Sequence, residues 1–477
     1  MWSGVRTPRR YSVLRSLSSP SSELAITFYP NRVIIIPTLL FLGVGEDSVA
    51  MIATHPQANR PIRVAMLARA VFPLHGYGGI ERHVYHLTKY LTRLGVEVTL
   101  YVQSPSVSSD PGDLRPYAIE TLRYDYTSPL LAPNGVIGRQ INFPIYSWRI
   151  GQRAARRVLQ GDFDVVHSQG LCAFGYAVAR NRTPQLRLVP FVANPHGMEE
   201  FRTPDWRKWL AYAPFRTLYA YGHRQADRVI ATDACTKDDL PRYLKVDPAR
   251  IVVIPSAIDT EECLSQVRSD LRAALRFRFG LTSSNPILLS VGRLEPNKGF
   301  DVLIAALARL RDELPPNWLW LVVGSGSARA ALEQQVNAAG IAGHTLFVGR
   351  LNDEELHSLY EEVDLFVHPT LYEGSSLVTL EAMIHRRPVV ASEIGGIPDK
   401  VFPGRNGLLV RPGDVDDLTA KLRLALVSRD RWSEWGTAGE QIVRSTFDWP
   451  IVARQTVELY VELLSTGMST SQPTRSG

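Results

Sequence analysis

Apolar positions fall into two alternating rhythms along this chain. Ile62-Arg63-Val64-Ala65-Met66-Leu67 is a nearly continuous apolar run of strand length, followed by the loop Gly76-Tyr77-Gly78-Gly79. Ile80, Val84, Leu87, Leu91 and Leu94 then recur every three or four residues, the spacing of one buried helix face, and Gly95 closes that helix. Residues 96–102 alternate as a second strand. A strand, a helix and a strand in this order predict a parallel sheet with helices on its faces. The same reading predicts strands at 164–167, 188–193, 229–232 and 251–255. After a polar, Ser/Arg-rich stretch around 259–285 the rhythm restarts. A strand at 287–291 and a helix carrying Phe300, Leu303, Ile304 and Leu307 lead into strands at 319–323, 346–348, 365–368 and 389–391. The expected fold is α/β, with two doubly wound Rossmann-like domains, residues 61–260 and 261–446, facing a central cleft. Ligands of such sheets bind beyond the carboxyl ends of the strands, so the strand-ending loops are where chemistry is sought.

Composition narrows the partners. The 477 residues, 45% hydrophobic and 21% charged, suit two or three globular domains. Six arginines, no lysine and three acids fall in residues 1–60, so half of the net charge of +6 belongs there and the remaining body is nearly balanced. That excludes a chain-wide basic footprint for nucleic acid. Cys172, Cys235 and Cys263 lie far apart, with no CxxC and no histidine at metal spacing, and read as reduced thiols of a cytosolic chain. Residues 1–60 form an extension of different character, Arg- and Ser-rich over 1–22 and apolar over 33–44. Pro37 interrupts the apolar run, which falls short of the about 20 residues of a spanning helix. The extension reads as disordered or as lying upstream of a true start at Met51; a targeting segment and a weak membrane anchor are the alternatives. No other stretch is long and apolar enough to span a bilayer, and 466–477 are expected to be a disordered tail.

Two loops of the second half carry the densest chemistry. Arg293 follows a predicted strand directly and Lys298 stands where the next helix begins, between Gly292 and Gly299. Arginine offers a fork to phosphate oxygens and lysine a point charge, so the pair can neutralise a diphosphate and assist its departure. Surface charge on a strand-to-helix loop is the plainer alternative. Glu373 and Glu381 stand seven residues apart, and Gly374, Ser375, Ser376 and Leu377 are expected to open a helix between them. Free amides at such a start suit a phosphate, and small side chains let it approach. Ionised carboxylates accept hydrogen bonds from vicinal hydroxyls; a helix-start charge and a solvated face residue are the alternatives. Cations for a diphosphate with carboxylates for hydroxyls is the combination a nucleotide sugar needs.

The run Tyr372-Glu373-Gly374-Ser375-Ser376-Leu377-Val378-Thr379-Leu380-Glu381-Ala382-Met383 resembles the E-x7-E segment of the retaining GT-B glycosyltransferases of family 4. Pro388-Val389-Val390-Ala391-Ser392, Gly395-Gly396-Ile397-Pro398 and Asn406-Gly407-Leu408-Leu409-Val410 follow in that family's order. Upstream, Gly78-Gly79 resembles its first-domain glycine loop and His196-Gly197 its loop near the donor sugar. Phe447-Asp448-Trp449 resembles the start of a helix, here about 447–465, that crosses back to the first domain. The resemblance covers 62–460. It implies that Arg293 and Lys298 bind the diphosphate, Glu373 the donor sugar and Glu381 the ribose. It further implies that Gly78 and Gly79 line the phosphate or acceptor side, and that His196 sits beside the transferred sugar. It implies a nucleotide-sugar donor (UDP-, GDP- or ADP-linked), transfer with retention, and no metal or other cofactor. Ser256-Ala257, Arg386 and Asp399 depart from the pattern, where Asn-Gly, Gly and Glu are usual.

Remaining features point to the acceptor or to nothing. Asp162-Phe163-Asp164 spells the metal-binding DxD of another transferase fold, but it opens a strand, so no metal is expected there. Arg149, Arg153, Arg156 and Arg157 crowd one segment, and Phe201-Arg202, Trp206-Arg207-Lys208-Trp209-Leu210, Tyr212 and Phe215-Arg216 interleave aromatics with cations. That mix suits a bilayer surface or a lipid-linked acceptor, or else a packed helix with a solvated basic edge. A nicotinamide enzyme would need GxGxxG, which Glu81 breaks. A non-transferring relative such as a nucleotide-sugar epimerase, and a non-catalytic scaffold, stay as alternatives. The expected activity is hexosyl transfer to a glycan or lipid-linked acceptor in cell-surface glycan synthesis, in the cytoplasm or at the inner face of the membrane.

Overall fold

The computed structural model describes residues 26–29, 32–35, 53–56, 59–76, 78–104, 117–124, 136–202, 206–281 and 286–466. The chain divides into two units, Met1–Met51 and Ile52–Gly477. In the first, β1 (Ile26–Tyr29) and β2 (Arg32–Ile35) pair as an antiparallel hairpin. The rest of the apolar run, 36–44, and the tail from 467 lie outside the described residues.

The second unit contains two parallel sheets. β3 (Arg63–Leu67), β4 (Glu97–Gln103), β5 (Ala118–Leu122), β6 (Val165–Gln169), β7 (Phe191–Asn194), β8 (Arg228–Ala231) and β9 (Ile251–Val253) lie in the order β5-β4-β3-β6-β7-β8-β9. β10 (Ile287–Val291), β11 (Leu319–Val323), β12 (Thr345–Gly349), β13 (Leu365–His368), β14 (Val389–Ser392) and β15 (Gly407–Val410) lie in the order β12-β11-β10-β13-β14-β15. In each sheet the chain winds outward in one direction and then returns to pair on the other side of its first strand. β3 against β6 and β10 against β13 are therefore the switch points, where the loops beyond the strand ends diverge and leave a crevice. Helices cover both faces, which is why β6, β7, β10, β13 and β14 are buried throughout and read as apolar runs rather than alternations.

Two expectations are corrected. The strand placed at 188–193 begins only at Phe191: Pro184–Leu188 is a 3₁₀ turn with Leu188 80% exposed, and Pro190 offers only its carbonyl, to the Val166 amide. The extension placed at 1–60 gives way to the folded body earlier. Ala53 is buried in the first core, Thr54 bridges Pro61, and Arg60 reaches Asp164. Strand β5 was not anticipated, because as an edge strand with half-exposed residues it carries little apolar signal.

The Trp449–Thr466 helix returns to the first sheet and packs on the Gly79–Arg93 helix. Tyr460 Oη lies 2.7 Å from His167 Nδ1, and Trp449 stacks on His86. Ile258 and Asp448 bridge where the chain passes between the sheets, and the Thr260 hydroxyl donates to Asp448 at 2.8 Å.

At the amino end of β6, Asp164 accepts from Arg60 Nη1 at 2.7 Å, Arg63 Nη2 at 3.0 Å and the Arg63 amide at 2.9 Å. Burial works to raise its pKa, but these donors outweigh it and hold the carboxyl well below the usual range. Asp164 thus ties the start of the fold, and Asp162 pairs with Arg157. A pKa depressed on folding stabilises above the unfolded value and ceases to do so as pH falls through the folded one. Asp164→Asn is expected to cost roughly 1–3 kcal/mol at pH 7 in urea denaturation, with the difference shrinking in strong acid. Equal stability at pH 7 would contradict this.

Candidate active site

The loops leaving β10 and β13 meet because those strands are neighbours. Gly299 makes the meeting close: its φ is 65°, and a Cβ there would lie 2.1 Å from the Pro369 carbonyl oxygen. Lys298, at the end of the Pro296–Lys298 turn, donates to Glu373 Oε2 at 2.8 Å. His368, the last residue of β13, donates Nε2–H to the same oxygen at 3.0 Å. Burial favours the neutral acid, but His368 and Lys298 outweigh it and hold Glu373 at about 2. Arg293 stands exposed at the same crevice and makes no ion pair among the described residues.

The helix expected to open at Gly374 begins at Leu377 and runs to Ile384. Ser376 precedes it in the left-handed region, with φ 34°, so Gly374, Ser375 and Ser376 form the turn that leads into it. Beneath this turn lies Lys400, 1% exposed, whose ammonium donates to Ser375 Oγ at 2.9 Å. Burial lowers Lys400 to about 8, opposed by Asp233, Glu373 and Asp399. Glu381 lies further along the helix and accepts from the Tyr360 hydroxyl at 3.3 Å. Burial raises its carboxyl to about 7; Arg82 and Tyr360 pull it down and Asp353 pushes it up.

The first domain faces this cluster with Gly79, a neutral His196 and the cation Arg82. Gly79 opens the Gly79–Arg93 helix. His196 follows β7 with φ 61°, an uncommon conformation for a side-chain-bearing residue. Its Nε2 lies 2.6 Å from Gln169 Oε1, which only accepts, so the proton is on Nε2 and Nδ1 is an acceptor. Burial, then His83, His167 and His223, keep His196 uncharged. Arg82 of the first domain spans the crevice to Asp353 of the second at 2.6 Å.

One cavity of about 580 Å³ collects His196, Gly79, Arg293, Lys298, Glu373, Gly374, Ser375, Ser376, Leu377 and Glu381. Gly78 is the exception. It caps the Gly79–Arg93 helix and does not line the cavity, and a Cβ there would meet the Glu81 carboxylate.

Two family models cover most of this body: Glycosyltransferase Family 4 matches residues 77–262 and Glycosyl transferases group 1 matches 272–442. Glycogen synthase of Mycobacterium tuberculosis is 30% identical over 397 residues, covering 80% of this chain and 91% of its own. The chain belongs to the GT-B glycosyltransferases of family 4. The MMP alpha-(1->4)-mannosyltransferase of Mycolicibacterium hassiacum is 29% identical over 413 residues, covering 81% and 95%. The D-inositol 3-phosphate glycosyltransferase of Streptomyces bingchenggensis is 28% identical over 438, covering 85% and 90%. Among solved structures, a glycosyltransferase of Rickettsia africae superposes with TM-score 0.66 at 18% identity, covering 85% of this chain and 99% of that one. Anabaena HepE in complex with UDP gives 0.65 at 21%, covering 84% and 100%.

The candidate site contains residues that the sequence did not single out. His368 was visible only as the polar end of a strand, and Lys400, Arg82 and Asp353 gave no signal. Along the same cavity, the described residues hold one carboxylate and imidazole group of metal-binding size, His86, Asp259 and Glu262. Lys89 already places its ammonium 2.7 Å from Asp259 and 3.1 Å from Glu262. Of the basic segment, Arg153 and Arg157 are paired with Glu120. Trp206, Trp209 and Leu210 are exposed.

Glu381 yields a pH test. Its folded pKa lies above the unfolded value, so its contribution to stability is full below the unfolded pKa and is lost as pH rises through about 7. Glu381→Gln, which removes a buried charge, is expected to raise Tm at pH 8 and to change it little at pH 5. A lowered Tm at pH 8 would contradict the assigned burial.

Proposed function

We propose that this glycosyltransferase takes a hexosyl unit from a nucleotide sugar and passes it, with retention, to a hydroxyl of a glycan or lipid-linked acceptor. The synthesis of a cell-surface polysaccharide or glycolipid is the setting we infer. The observation that carries the reading is the Lys298–Glu373–His368 cluster at the switch point of the second sheet, facing neutral His196 across the crevice. Arg293 and Lys298 supply charge to a diphosphate, and the amides ahead of Leu377 add to it. Glu373, ionised and fixed, accepts from sugar hydroxyls and acts as a positioner. Glu381 accepts from the ribose. The bond from the anomeric carbon to the diphosphate oxygen breaks, and the bond to the acceptor oxygen forms on the same face within a tight ion pair. The acceptor proton passes to the departing diphosphate. The charge this requires comes from the protein's own cations, so no metal or cofactor enters the reading.

The relatives support a nucleotide donor without naming its sugar. HepE was solved with UDP and with UDP-glucose, and the catalytic domain of Arabidopsis thaliana starch synthase IV with ADP and acarbose. The relatives include a glycogen synthase, a mannosyltransferase and an inositol phosphate glycosyltransferase, so family membership leaves sugar and acceptor open. Exposed Trp206 and Trp209 beside exposed Arg207 support contact with a membrane surface that presents the acceptor. Among the described residues no helix is long and apolar enough to cross a membrane. A scaffold that had lost catalysis would not be expected to keep Arg293, Lys298 and Glu373 together.

Glu373→Gln and Lys298→Ala are each expected to lower turnover by roughly two to three orders of magnitude while the far-UV spectrum stays that of the parent. The product is expected to keep the anomeric configuration of the donor by NMR. Parental turnover in either folded variant, or an inverted product, would overturn the assignment.

A further inference from the structure

The second domain holds a hydrogen-bonded chain that the reaction above does not use. His385 ends the Leu377–Ile384 helix and is 1% exposed. Its Nδ1 lies 2.7 Å from Glu361 Oε1 and its Nε2 lies 2.9 Å from His357 Nδ1. His357 belongs to the Asp353–Tyr360 helix and lines the cavity together with Glu381, Asp353 and Arg82. Tyr360 stacks flat on His385, centroids 5.3 Å apart and planes at 7°, and turns its hydroxyl to Glu381. The chain is therefore locked to the wall of the cleft that carries Glu381.

Donor and acceptor counting fixes its protons when both imidazoles are neutral. Burial favours protonated Glu361, but His385 and then Arg387 outweigh it, so the carboxylate is ionised and only accepts. His385 Nδ1 must then carry the proton, which leaves a lone pair on its Nε2. His357 Nδ1 donates to that lone pair. A neutral imidazole has a single N–H, so His357 Nε2 is a bare acceptor. It has no partner among the described residues, and with Nδ1 turned to His385 it is the ring nitrogen left to face the cleft. Burial and then His385 lower His357 to about 4, with Asp353 opposing and Arg82 adding, so the ring stays neutral in mild alkali.

We propose that His357 is a specificity-determining residue of the donor site, whose Nε2 accepts a hydrogen bond from an O–H or N–H group of the donor's nucleoside. Glu361 and His385 are positioning residues that hold it in that tautomer. The inference rests on the nucleotide-sugar reading. Diphosphate oxygens are acceptors at pH 8 and would meet Nε2 lone pair to lone pair, so His357 favours the nucleoside end of the ligand and Lys298 with Arg293 the phosphate end. Glu381, also an acceptor, stands on the same wall, so this part of the cleft suits a group that offers several hydrogens, as a ribose diol or a base edge does.

The test uses the full chain at pH 8. Nitrogen NMR of labelled histidine is expected to show His357 protonated at Nδ1 and bare at Nε2; a proton on Nε2 would overturn the proposal. Calorimetry then compares UDP, GDP, ADP and inorganic pyrophosphate on the parent and on His357→Leu. The nucleoside diphosphate that binds the parent is expected to bind the variant roughly tenfold more weakly, the worth of one hydrogen bond, while pyrophosphate is unaffected. Its 2′- and 3′-deoxy forms locate the partner. A deoxy form that binds parent and variant alike marks that hydroxyl, and equal losses for both deoxy forms in parent and variant mark the base; either supports the subsite. Pyrophosphate weakened as much as the nucleoside diphosphate, or a nucleoside diphosphate unaffected by the substitution, would overturn the subsite alone. Failure of every nucleoside diphosphate to bind the parent would overturn the nucleotide-sugar reading and this subsite with it.

Discussion

Glu373 sits among buried strand ends with one oxygen 2.8 Å from Lys298 and 3.0 Å from His368, and it stays ionised there because both partners come with it. Neither partner is local. Lys298 arrives from the loop after β10 and His368 from the end of β13, and they converge because a doubly wound sheet places those strands side by side. Gly299 lets the loops touch. In the proposed reaction the ammonium that compensates the carboxylate also meets the diphosphate, so binding would redistribute charge that is already in place and need little reorganisation.

The two walls of the cleft differ in charge state. The second domain presents an ionised Glu373, the cations Arg293 and Lys298, and Glu381 titrating near neutrality. The first presents His196, kept neutral by burial, and the cation Arg82. Arg82 and Asp353 join the walls at 2.6 Å, so the width of the crevice and the field around Glu381 are set by the same contact. Lys400 acts from behind, holding Ser375 in the turn that precedes the Leu377–Ile384 helix.

Much of this was legible in sequence wherever the signal is local. Continuous apolar runs gave β3, β10, β11 and β13 nearly to the residue, because strands covered on both faces need no alternation. Loops after those runs gave Arg293, Lys298 and Glu373. Ala118–Leu122 escaped because an edge strand buries too little to show a pattern, and the exposed Leu188 misled because hydrophobicity alone does not imply burial. The run Gly374 to Leu377 was read as helix, although the left-handed Ser376 delays the first turn. Lys400 to Ser375, Arg82 to Asp353, and His357 through His385 to Glu361 join positions 25, 271 and up to 28 residues apart. No periodicity encodes such pairs; only the fold brings them together.

The most direct measurement is a thermal-shift screen of the full chain against UDP, GDP, ADP and their common sugar conjugates, each with and without EDTA. Selective stabilisation by one nucleotide family, unchanged by EDTA, is the expected result if the cations of the β10 loop carry the diphosphate. Well-folded protein that none of these ligands stabilises, or stabilisation that EDTA abolishes, would contradict the charge arrangement on which the site is built.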